Sequence, residues 1–155
     1  ALEYNQQYMD KNPNAAPTDF MKLAEIYVNK AKKDPAKKIE NIDKAIGVYA
    51  KLSEKYPTLK TFAKLQEGNT AFQNELDDKA IAAYTEVINE LEAKQCDEDE
   101  LSYLKTSYQY MGFIYTYDKQ DFNTAKPYWD KLLKLDPQNK LANDAYEKAG
   151  LKPGE

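Results

Sequence analysis

The chain has 155 residues, 42% of them hydrophobic and 31% charged, with a net charge of −4; that size suits one domain burying roughly 70% of its unfolded surface. The mixed, slightly acidic charge argues against nucleic acid as a partner, which would draw a basic stripe, and no run of about 18 apolar residues is present to insert in a membrane. The chain has no histidine, the commonest general base and metal ligand, and its single cysteine, Cys96, permits no internal disulfide and leaves the compartment open.

Val, Ile and Thr do not gather in alternating runs, so strand signals are weak and the fold class is all-α. No basic-then-apolar leader opens the chain, and it begins on Ala1 rather than Met. A processed chain, or an excised part of a longer one, is the expectation. Residues 1–13 place Tyr4 and Tyr8 on a helical face and close on Lys-Asn-Pro. They read either as the second helix of a truncated unit or as a frayed terminus.

A helix is predicted over 18–32, capped by Thr18 or Asp19, with Phe20, Leu23, Ala24, Tyr27 and Val28 as its apolar stripe. Asp34-Pro35 stops it, because a residue before proline avoids helical torsions. The second helix, 36–55, turns Ile39, Ile42, Ala45, Ile46, Tyr49 and Leu52 inward and ends at Tyr56-Pro57. The third, 58–75, carries Phe62, Leu65, Gly68, Ala71 and Phe72. After a turn at 76–78 the fourth, 78–94, carries Ala80, Ile81, Tyr84, Val87, Ile88 and Leu91. The fifth and sixth are predicted over 98–117 and 122–134, with Pro127 placed in the first turn of the sixth, where its missing N–H costs little. A seventh, 139–149, covers the preceding hairpin with Leu141, Ala145 and Tyr146, turns Asn139 and Lys148 to water, and stops at Gly150.

Few residues invite chemistry. Asp97, Glu98, Asp99 and Glu100 form the densest acidic run. Consecutive helical residues point in different directions and no glycine turn would wrap a cation, so Asp97 and Glu100 read as a capping box and no metal site is assigned. Cys96 has no histidine to activate it and reads as a linker thiol. No catalytic residue and no cofactor is expected.

Thirteen tyrosines are the unusual feature, and their pattern leads to the stretch 108–137. Gly112 is followed by Tyr115; after a polar break come Ala125, Trp129, Leu132 and Pro137. The second-helix spacing recurs: Ala45, Tyr49, Leu52 and Pro57 lie 4, 3 and 5 apart, as do Ala125, Trp129, Leu132 and Pro137. Ala80, Tyr84 and Val87 repeat the first two intervals, with Glu92 in place of proline, and Gly68 lies twelve residues before Ala80. Ala24 and Tyr27 supply a small and aromatic pair earlier. This pattern resembles the tetratricopeptide repeat, a helix hairpin of about 34 residues. Leu132 is larger than the family norm, and the interval from Gly112 to Ala125 is one residue longer than usual, so an insertion is expected in that turn.

The resemblance implies antiparallel hairpins stacked in a right-handed superhelix, as one domain over 1–155. Its parts would be a partial unit at 1–17, repeats at 18–57, 58–95 and 98–137, and a capping helix at 138–150. In the family the first helix of each hairpin lines a concave wall. Carried over, that wall holds Met21, Glu25, Val28 and Asn29; then Leu65, Asn69, Phe72 and Gln73; then Gln109, Tyr110, Phe113, Thr116 and Tyr117. Those residues read either as a peptide-binding groove or as packing surface. The carboxylate-gripping set found in some members is not expected, since Met21, Leu65 and Gln109 stand where cations would be. The implied function is a non-catalytic scaffold for a protein or peptide. Glycan handling in a bacterial envelope system, and self-association through unpaired end repeats, are the alternatives. The tyrosine-rich last unit resembles repeats of bacterial envelope proteins, which points to an envelope or periplasmic address.

Overall fold

A computed structural model describes residues 2–154, with side chains described at 6–9 and 11–154; the side chain of Tyr4 lies outside the described ones. Every regular element among the described residues is helical. The helices are α1 (Leu2–Lys11), α2 (Pro17–Lys33), α3 (Lys38–Lys55), α4 (Lys60–Gln73), α5 (Asp77–Glu92), α6 (Glu98–Phe113), α7 (Phe122–Leu135) and α8 (Lys140–Lys148). The chain divides into two compact units, 1–83 and 84–155, the division falling within α5.

Three of the helix ends are built alike. Asp34, Tyr56 and Asp136 each precede a proline and each leaves the helical region, with φ/ψ of −130/88, −125/79 and −144/82. The clash of the proline ring with the preceding residue dictates that change. Each residue still donates its N–H to the carbonyl four residues back, on Lys30, Leu52 and Leu132. The helix starts are also local. Asp97 and Glu100 exchange side-chain-to-backbone hydrogen bonds of 2.8 and 3.1 Å, a full capping box on α6. Asp121 caps α7 through the N–H and hydroxyl of Thr124, and Asn139 caps α8 through the N–H of Ala142.

In the first unit α2 packs on α3 and α3 on α4. The core joins Phe20, Leu23, Ala24 and Tyr27 to Ala45, Val48, Tyr49, Leu52 and Ala63. The Tyr56 ring meets Phe20 edge-on at 6.3 Å and its hydroxyl donates to the Ala15 carbonyl, anchoring the segment between α1 and α2. Ile39, expected inward, is 60% exposed; it stands in the first turn of α3, before the helix reaches the core.

In the second unit α6 packs on α7, and α8 touches both. Tyr84, Val87, Leu91, Met111, Ile114, Ala125, Trp129, Leu132, Ala145 and Tyr146 are buried there. Gly112 lies directly under the Trp129 indole: a Cβ at that position would come within 2.6 Å of two ring carbons. The segment expected to be one helix over 98–117 is α-helical only to Phe113 and widens into a π turn over Ile114–Asp118. The Lys119 N–H reaches the Ile114 carbonyl, five residues back, at 2.9 Å. A π turn holds an extra residue without breaking the helix. Pro127 is the sixth residue of α7, just past the first turn, and so, against the small cost expected, withholds a donor from the helix ladder. Its exposure leaves the neighbouring backbone open to water.

Candidate functional site

The residues expected on a concave wall fall in both units. In the first, Asn29 is exposed on α2 and lines an open groove of about 530 Å³ with Tyr8, Met9, Lys22 and Glu25. Leu65 is 5% exposed and belongs to the core, offering no surface to a ligand. Asn69 and Phe72 are half-buried one and two turns further along α4, and Gln73 at its end is exposed.

In the second unit most of the wall residues are already engaged. Gln109 accepts a hydrogen bond of 3.2 Å from Asn139, which is therefore half-buried rather than turned to water. Tyr110 stacks on buried Tyr84, with ring centroids 5.7 Å apart and planes 25° from parallel. Phe113 and Tyr117 meet at 4.8 Å with their planes tilted by 44°. Thr116 is buried and its Oγ1 accepts the Trp129 indole N–H at 2.9 Å, so its hydroxyl is engaged although the residue lines the cleft described next. The π turn interrupts the α-helical ladder at these residues.

Beside that turn lies an open cleft of about 400 Å³, lined by Thr116, Tyr117, Gln120, Phe122, Ala145, Lys148 and Ala149. The Lys148 ammonium rests 4.6 Å from the centre of the Tyr117 ring. Phe122 is braced edge-on by Tyr146 at 5.4 Å. Gln120 holds a left-handed backbone, φ 52°, which brings its side chain to the rim from the loop before α7. Ala145 on α8 and Ala149, the residue that closes it, are too small to fill the space between the rings. Of this set, Thr116 and Tyr117 were expected on the wall, and Ala145 was expected to cover the preceding hairpin. Nothing in the sequence marks Gln120 as left-handed, and Lys148 reads as an ordinary helix-end lysine.

The charged groups nearby are structural ties. Glu92 accepts hydrogen bonds of 2.6 Å from the Tyr108 hydroxyl and from Lys131, joining the end of α5 to α6 and α7. Burial raises the Glu92 carboxyl, but those hydrogen bonds and the Lys131 charge outweigh it, so its pKa lies below the usual carboxylate value. Burial first, then the bond to Glu92, holds the Tyr108 phenol well above its ordinary range. Tyr146 donates to Asp130, which also pairs with Lys126 at 3.0 Å. Cys96 is half-buried, with its thiol donating to the Leu91 carbonyl at 3.3 Å; burial, then Glu100, raises its pKa and disfavours the thiolate.

No protein-family profile, no curated protein and no solved structure matches the chain.

Proposed function

We propose that the chain is a non-catalytic binding module, built on tetratricopeptide-like hairpins, that takes a peptide or protein segment. The observation that carries the binding reading is the cleft beside Tyr117, where two aromatic rings and two alanines leave apolar space and a glutamine and a lysine stand at the rim. Such a mixture, apolar walls with a few polar groups, is the usual make-up of a recognition site. The repeat reading is supported by the recurring Ala–Tyr and Ala–Trp pairs. Ala45, Tyr49, Ala80, Tyr84, Ala125 and Trp129 are all buried. The close approach of Trp129 to Gly112, and the π turn in the interval one residue longer than the family's, point the same way. The non-catalytic part rests on the lack of any histidine and on a cysteine whose thiol is pushed up rather than down.

Peptide is favoured over glycan by the state of the rings. A sugar stacks on a flat ring face open to water. Tyr110 already lies on Tyr84, Phe113 and Tyr117 are tilted together, and Lys148 sits over a Tyr117 face. The test is a random peptide display selection on the immobilised chain, repeated on a Tyr117→Ser variant matched for helicity and melting. Sequences enriched on the first and lost on the second support the reading. Equal enrichment on both, or enrichment no greater than on bare support, refutes it.

A further inference from the structure

We infer that the cleft beside Tyr117 selects an acidic peptide segment, with one bulky apolar side chain set between Tyr117, Phe122 and the α8 alanines, and a neighbouring Asp or Glu carboxylate on Lys148. The inference rests on the peptide-binding reading and adds the ligand's chemistry.

Charge decides the class. The lining of the cleft contains one ammonium, Lys148, and no carboxylate. Several other lysines of this unit are committed to ion pairs: Lys94 to Glu100, Lys126 to Asp130, Lys131 to Glu92 and Lys140 to Asp144. Lys148 instead lies over the Tyr117 ring, which positions the ammonium at the cleft. Asp118 and Glu147 adjoin Tyr117 and Lys148 in sequence but do not line the cleft, Asp144 pairs with Lys140, and Asp121 is held by the amide and hydroxyl of Thr124 and serves the start of α7. The groove of the first unit differs, since Asp19 and Glu25 line it together with Lys22. The space between the rings suits an apolar side chain. Ala145 is fully buried at its base, Ala149 is exposed at its edge, and Phe122 is fixed by Tyr146. Gln120, on its left-handed backbone, offers an amide that can both donate to and accept from a peptide bond.

The experiment is a titration of the full chain, with backbone amides observed by NMR, against three peptides amidated at the C-terminus so that only side-chain carboxylates are tested. The first has a central Phe flanked by Glu, the second replaces Glu by Lys, the third replaces Phe by Ser. The acidic Phe peptide is expected to shift the amides of Gln120, Lys148 and Ala149, with the other two at least about tenfold weaker. Lys148→Gln should weaken it about fivefold, an exposed ion pair being worth about 1 kcal/mol. Ala149→Trp, a surface change that fills the cleft, should weaken it more than tenfold, roughly the value of an occluded anchor. Equal binding of the lysine peptide, or shifts confined to other surfaces, overturns the acidic selectivity while leaving a peptide-binding module standing. No shift with any peptide at millimolar concentration overturns both.

Discussion

Gly112 and Trp129 approach so closely that a Cβ on the glycine would stand 2.6 Å from two carbons of the indole and 2.9 Å from a third. The ring has nowhere to retreat: it is fully buried, and its N–H is tied to Thr116. Alanine is ordinarily better than glycine inside a helix by about 1 kcal/mol. Here the clash should reverse that order. Gly112→Ala is expected to destabilise by about 1–3 kcal/mol, the usual range for overpacking, and Gly112→Leu to disrupt the α6–α7 pair. Urea denaturation followed by circular dichroism measures both. An alanine variant as stable as the parent would show that the two helices are not held this close.

A contrast comes from Gly47. It lies inside α3, is exposed, and nothing stands within 4 Å of where its Cβ would be. Gly47→Ala should therefore stabilise by about 0.5–1 kcal/mol, since only helix propensity changes. Pro127 offers a parallel case on the exposed side of α7. Pro127→Ala restores a ladder hydrogen bond and should raise stability by up to about 3 kcal/mol. Thermal melts of both variants check this; a lower midpoint for either would mean that its helix depends on the special residue.

The helices and their ends were legible because they are decided locally. Pro35, Pro57 and Pro137 turn the residue before them out of the helical region, although Pro127 is tolerated inside α7, and Asp97 and Glu100 have their capping partners within three residues. The buried stripes followed from spacing for the same reason, and Tyr27, Tyr49, Tyr84 and Trp129 lie inside, whereas Tyr115, expected with them, is half-buried and stacks on Tyr128 at 6.2 Å. The surface was less legible. Leu65 and Asn69 share a helical face, yet one is in the core and the other half out, because burial depends on the helix that packs alongside. The π turn over Ile114–Asp118 was not legible: no local pattern announces it, and it is in that turn that Thr116 accepts the Trp129 N–H. Lys148 and Gln120 come to Tyr117 from α8 and from a left-handed residue, two placements that no local pattern encodes.

The buried phenols make stability sensitive to alkali. Burial raises Tyr84 and Tyr108 far above the ordinary tyrosine value, and raises Tyr49, Tyr128 and Tyr146 as well. In the unfolded chain these groups ionise near pH 10. Above that pH the unfolded state releases protons that the folded state keeps, so stability must fall as pH rises, by up to about 1.4 kcal/mol per unit for each such group. Below pH 10 both states hold the proton and the contribution is constant. Chemical denaturation between pH 8 and 11 should show a plateau and then a decline. Tyr84→Phe removes one ionisation and should make the decline shallower. A stability flat to pH 11 would mean that these phenols reach water.

Thr116 gives the most local test of the π turn. Its Oγ1 is the acceptor for the buried Trp129 N–H at 2.9 Å. Thr116→Val keeps the shape and leaves that donor unpaired, which should cost about 1–3 kcal/mol. Thr116→Ser keeps the acceptor and loses one methyl, with a cost nearer 1 kcal/mol. Trp129 is the only tryptophan in the chain, so its fluorescence reports this contact alone: emission should change with valine and stay close to the parent with serine. If the indole N–H instead met water, valine would leave both emission and stability unaltered.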